Sequence, residues 1–226
     1  MNILKFVAHS KKAIKIAMES GWYPAARYTN LRDIRGVDFK GIGFIDIDWK
    51  NYDFEKHIDA VSLMLPKITI ARDIESIFDL DSILKEAERL KQYSEIVAIV
   101  PKDIRLAGRF DELIPCEYIL GYSVPTKYGS TLISPEYFNR PIHLLGGRPE
   151  IQRELADKMD VVSIDCNRFT YDARYGDYFD GEIFRPHPLG GYDICLRESI
   201  KNINMLWENY NITSDHLNKS IMEVVA

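Results

Sequence analysis

Four aspartates stand where short apolar runs end: Asp46 and Asp48 in FIDID, Asp73 in ITIARD and Asp165 in VVSID. Carboxylates brought from separate strands into one mouth repel one another, so some hold a proton while others stay ionised. That split supplies an acid beside a nucleophile or base. Asp46 and Asp48 lie two residues apart and would share one face of an extended strand. Either can serve, and Asp48 is equally placed to cap the helix that follows. Asp165 is followed by NRFTYDARYGDYF, which has no helical apolar stripe to cap.

Other side chains admit further chemistry. His143 opens IHLLGG and His187 sits in FRPHPLGG. With the aspartates they can be written as a metal-assisted barrel hydrolase or isomerase acting on a small molecule, although neither H-x-H nor HExxH spacing is present. Gly146 and Gly147 precede a helix opened by Pro149, where glycine lets a ligand approach the backbone, as it also does in a simple tight turn. No GxGxxG or GxxxxGK[ST] occurs, which disfavours dinucleotide and P-loop binding. Trp49, Tyr52, Phe169, Tyr171, Tyr175, Tyr178 and Phe179 interleave with Arg168, Arg174 and Arg185. Such a set stacks on extruded bases and holds phosphates, or packs as an ordinary half-buried loop.

The elements that must position these residues read as βα units around a parallel sheet, because β-branched runs alternate with stretches of helical period. The expected strands are 3–8, 43–48, 68–72, 96–100, 118–121, 142–146, 161–165 and 182–184. Eight is the barrel number, and in a TIM-like (β/α)8 barrel strand-end residues face the active site. Expected helices start at Ser10 as N-cap, run over 53–65 with Phe54, Ile58, Val61 and Leu65 on one face, over 82–93, and from Pro149 through Met159. Two more are expected near 193–210 and 214–225. The stretches 21–40 and 123–140 show no clear period and read as long loops, either surface padding or a substrate lid. No repeat or linker divides the chain, so residues 1–226 read as a single α/β domain.

Two stretches resemble a known family. Asp165-Cys166-Asn167-Arg168-Phe169-Thr170-Tyr171-Asp172-Ala173-Arg174-Tyr175-Gly176 is similar, in register, to the D-C-x-x-x-T-R-x-A-R-x-G signature of tRNA-guanine transglycosylases. His143 to Glu150, HLLGGRPE, resembles that family's L-M-G-x-G-x-P-E element, one residue shorter. The superfamily includes reduced members that insert 7-deazaguanine bases into DNA. The resemblance implies a TIM-like barrel in which Asp165 attacks C1′ of a guanosine, guanine leaves, and a modified base resolves the covalent sugar–enzyme intermediate. It further implies that Asp46 or Asp48 acts as acid/base, that Asp73 reads the incoming base, and that Gly121, Gly146 and Gly147 lie against it. Arg168, Arg174 and Tyr171 would contact nucleic acid, Tyr171 standing where the signature has Arg. The family's zinc subsite, C-x-C-x-x-C with a later His, has no counterpart, since only Cys195 follows the motif. DNA is therefore implied over tRNA as the partner, with no metal or redox cofactor needed.

Composition sets the outer limits. The 226 residues carry 29 Lys+Arg against 34 Asp+Glu, a formal charge of -5, so no bulk positive field recruits nucleic acid and any contact must be a local patch. The apolar runs are far shorter than the ~20 residues of a spanning helix, and MNILKFVAHSKK lacks a cleavable apolar leader, so a cytoplasmic protein without membrane partners is expected. Cys116, Cys166 and Cys195 are odd in number and widely spaced, which excludes a disulfide framework. A non-catalytic nucleic-acid-binding barrel that kept this fold is the remaining alternative.

Overall fold

A computed structural model describes residues 3–126 and 129–210. Eight strands close a barrel in chain order: β1 (Leu4–Val7), β2 (Tyr23–Arg27), β3 (Phe44–Asp46), β4 (Ile68–Ile70), β5 (Ile96–Ile99), β6 (Ile119–Ser123), β7 (Ile142–Leu145) and β8 (Val161–Asp165). Each pairs in parallel with the next, and β8 pairs with β1. The outer helices are α1 (Lys11–Met18), α2 (Phe54–Met64), α3 (Leu80–Leu90), α4 (Phe110–Leu113), α5 (Pro149–Leu155), α6 (Arg168–Asp172) and α7 (Tyr192–Leu206). This is the expected TIM-like barrel.

Strand alternation makes two cores. Phe6, Phe44, Ile68, Ile70, Ala98, Val100 and Ile119 fill the barrel, whereas Val7, Ile45, Val97, Ile99 and Leu120 face outward and join Ala13, Ile14, Val61, Ile83 and Ala87 from the helices. The helix starts follow local chemistry: the Ser10 hydroxyl accepts from Ala13 N–H, Asp53 accepts from Lys56 N–H, and Pro149 opens α5.

Two expectations need correction. Residues 21–40 are not a loop throughout, because Tyr-Pro-Ala-Ala-Arg forms β2. Pro24 and two alanines hide the apolar alternation that marks a strand. The expected eighth strand at 182–184 lies outside the barrel: β10 (Phe184–Pro186) pairs antiparallel with β9 (Asp177–Phe179) as a hairpin. Its turn is held by Asp180, which accepts from the N–H groups of Glu182 and Ile183. The helix expected at 214–225 lies outside the described residues. Among these residues no helix is long and apolar enough to cross a membrane.

The crossovers from β2 to β3 and from β6 to β7 carry only short 3-10 turns among the described residues. The second is fastened at both ends. Ser123 and Thr131 exchange hydrogen bonds, and the buried Arg140 guanidinium donates to the carbonyls of Ile114, Pro115 and Tyr118.

Candidate active site

A cleft of about 600 Å³ opens at the C-terminal ends of the strands, with Arg27, Asp46, Asp73, Lys102, Asp165 and Asn167 in its wall. A second hollow of about 340 Å³ adjoins it and shares Arg27 and Asn167. Ala8, the residue after β1, and Ala25 of β2 line it and pack with the barrel interior. These two strands separate β3 from β8 in the barrel order, so small side chains leave open the space between Asp46 and Asp165.

Asp46 ends β3 on the inward face. Burial and then the Asp165 charge raise its pKa to about 7, against the opposing pull of Arg27, whose Nε lies 3.9 Å from Oδ2. The carboxyl is walled by protein yet keeps 31% of its side-chain surface open to the mouth, as a proton donor in a cleft must. Its Oδ1 accepts from Ile47 N–H.

Asp165 ends β8 and sits level with Phe6 across the β1 pairing, so it also faces inward. Gly146 N–H donates to its Oδ1 at 2.8 Å, and Asn167 Nδ2 lies 3.3 Å from its Oδ2. Asn167 is fixed in turn, since its Oδ1 accepts from Ala8 N–H at 2.7 Å. Gln152 Nε2 donates to the carbonyls of both Gly146 and Asp165, clamping the end of β7 to the end of β8. Cys166 is no rival nucleophile, because burial pushes its thiol up to about 12.

Asp73 lies beyond the end of β4 with Oδ2 2.5 Å from Lys102 Nζ, and Lys102 also reaches Glu75 at 3.3 Å. Burial raises Asp73 above the ordinary carboxylate range despite Lys102. Burial pulls Lys102 down, but Asp73 and Glu75 carry it above the usual lysine value. The pocket thus holds an ion pair where a lone acceptor was expected.

The other expected site residues divide. Gly146 and Gly147 line the cleft, both with positive φ, and a Cβ on Gly147 would strike Val124. Gly121 is buried below the cleft, where a Cβ would lie 2.7 Å from Val100; it serves packing inside the barrel. Asp48 is not in the cleft wall. β3 ends at Asp46, so the two-residue alternation stops, and Asp48 instead accepts from Lys50 N–H in a turn. The N-cap of α2 is Asp53. Arg168 is bound to Asp172 at 2.5 Å, Arg174 donates to His9 beside the smaller hollow, and Tyr171 is exposed on α6. His143 is buried inside the barrel, whereas His187 Nδ1 accepts from Leu189 N–H beyond the hairpin. Among the described residues no group of three or more His, Cys, Asp or Glu is placed to hold a metal.

Sequence reasoning missed Arg27, Lys102 and Asn167. Arg27 lay in the unperiodic stretch, while Lys102 and Asn167 each follow a strand end by two or three residues, a position that itself signals the mouth of a barrel. Ser123, Val124, Thr126 and Leu132, from the stretch 123–140, stand in the cleft wall. No curated protein matches the chain. Residues 17–208, which include every strand-end residue of the cleft, match the model of a family of unknown function, DUF6610, and the chain belongs to that family.

Proposed function

We propose that this protein is a nucleobase-exchange glycosyltransferase that replaces guanine in DNA with a 7-deazaguanine base through a covalent Asp165–sugar intermediate. The observation that carries the reading is the pair of strand-end carboxyls in one mouth, with Asp46 raised to about 7 partly by the charge of Asp165. Asp165, held by Gly146 N–H and Asn167, is the nucleophile at C1′. Asp46 gives its proton to the departing base and removes one from the incoming base, the exchange of roles that a pKa near working pH favours.

Asp73 and Lys102 suit the edge of a 6-oxopurine. The free Asp73 oxygen accepts from ring and amino N–H groups while Lys102 donates to the oxo group, a donor–acceptor order that adenine reverses. The cleft lies at the end of a barrel, so the target nucleotide must leave the base stack, at a cost of a few kcal/mol. Trp49 on the cleft rim is half exposed and offers a stacking face to offset it.

The test is incubation with labelled guanine and duplex DNA or tRNA. Label should enter DNA with the wild-type chain and not with Asp165→Asn, which keeps the side-chain volume and loses the attacking charge. Label in tRNA alone would correct the polymer, and label in neither would overturn the reading.

A further inference from the structure

His143 is the second residue of β7 and points into the barrel beneath the cleft, fully buried beside Phe44 and Phe6, with ring centroids 4.8 and 6.1 Å away. Its Nδ1 lies 2.7 Å from Ser163 Oγ, itself fully buried. Its Nε2 has no hydrogen-bond partner and stands 3.7 Å from Asp165 Oδ1. An imidazole in an apolar interior with one nitrogen unpaired is costly, so the arrangement calls for a reason.

The Ser163 pairing decides where the proton sits. If Nδ1 carried it, the Ser163 hydroxyl hydrogen would have no acceptor and the bare Nε2 lone pair would face a carboxylate. If Ser163 donates to Nδ1, the hydroxyl and Nδ1 satisfy each other and the Nε2–H dipole faces Asp165. Oδ1 of Asp165 then accepts a hydrogen bond from Gly146 N–H and has the positive end of the Nε2–H dipole 3.7 Å away, a longer electrostatic contact. Oδ2 has only the longer contact from Asn167.

We infer that His143, its tautomer set by Ser163, is a positioning residue whose Nε2–H dipole, with the Gly146 N–H bond, draws the charge of Asp165 toward Oδ1 and leaves Oδ2 as the attacking atom. This rests on the proposed reaction for its chemical meaning, whereas the tautomer and its coupling to Asp165 stand on the fold alone. In the first displacement a lone pair of Oδ2 forms the bond to C1′. The C1′–N9 bond breaks with its electron pair on the base, which takes the proton of Asp46. Oδ1 becomes the ester carbonyl and keeps the Gly146 donor. In the second displacement the N9–H of the incoming base gives its proton to Asp46, N9 forms the bond to C1′, the C1′–Oδ2 bond breaks with its pair on the oxygen, and the carboxylate charge regrows against Gly146 N–H and the His143 dipole.

Long-range proton–nitrogen spectra of histidine-labelled protein give the tautomer directly, with the His143 signals assigned by their loss in His143→Gln. The expected result is a protonated Nε2 and an unprotonated Nδ1, with Nε2 shifting in Asp165→Asn. A protonated Nδ1, or no response to Asp165→Asn, overturns the inference even if no nucleic acid supports base exchange. Where exchange is seen, Ser163→Ala should slow single-turnover exchange about tenfold, with KM for the base held within about twofold. His143→Gln, whose amide can replace Nε2–H, should keep more activity than His143→Leu. Equal losses in these two variants at equal thermal stability would remove the positioning role while leaving the transglycosylase reading intact.

Discussion

Asp46 binds its proton more tightly in the folded chain than in the unfolded one, because burial and the Asp165 charge both disfavour its ionised form. A folded pKa of about 7 against an ordinary value of 3.8 means that stability falls as pH rises between those two values and levels off above the higher one. Asp46→Asn removes that loss. Thermal melts should therefore show the variant level with the wild type near pH 4 and progressively more stable toward pH 8, even as base exchange is lost. A stability gap that stays constant across pH would show that Asp46 does not titrate in this range. The same residue-level logic explains what the sequence concealed: Asp46 and Asp48 look alike in FIDID, and only the end of β3 after three residues separates the cleft carboxyl from the turn carboxyl.

At the scale of elements, the barrel was largely legible and its irregular parts were not. Runs such as Ile96–Ile99 and Val161–Asp165 are buried on both faces and announce themselves as continuous apolar strands. β2 does not, since Pro24, Ala25 and Ala26 bury little apolar surface and satisfy the barrel by being small. The hairpin strand Phe184–Pro186 mimicked a barrel strand because a short β run carries no mark of the sheet it joins. Where a crossover lacks a helix, a single side chain does its work. Arg140 is only 8% exposed and ties three carbonyls around the β6–β7 return. Arg140→Met should strip the guanidinium from the Ile114 and Tyr118 carbonyls, while Pro115 keeps the Tyr118 N–H, and lower stability by about 2–4 kcal/mol, measured by chemical denaturation. A loss below about 1 kcal/mol would mean that water replaces the guanidinium.

For the whole molecule, a formal charge of -5 means that the proposed docking of DNA depends on where unpaired cations lie near the cleft. The aromatic and arginine set after Asp165 was visible in the sequence, but its pairing was not. Arg168 is engaged with Asp172, whose side chain is nearly buried, while Arg174 reaches His9 at the edge of the smaller hollow. The two arginines should then separate. Arg174→Ala should weaken DNA binding across sequences and flatten the log–log salt dependence by about one unit. Arg168→Ala should leave that slope unchanged and lower the melting temperature, because it strands Asp172. Identical slopes for both variants and the wild type would place DNA elsewhere on the surface.

The hydrogen bond from Ala8 N–H to Asn167 spans 159 positions of sequence and lies where β8 meets β1. Contacts of such separation are slow to form, because they must close a loop of more than two-thirds of the chain. Until the last strand docks on the first, β1 presents an open sheet edge, and Asp165 has β7 on one side only, without the Asn167 contact that Ala8 N–H fixes. On the proposed reading, the nucleophile takes its final setting from the same event that seals the barrel. In refolding, base exchange should then return with the slowest phase, and a nascent chain that has not yet released β8 from the ribosome holds seven of the eight barrel strands without the paired carboxyls of the cleft.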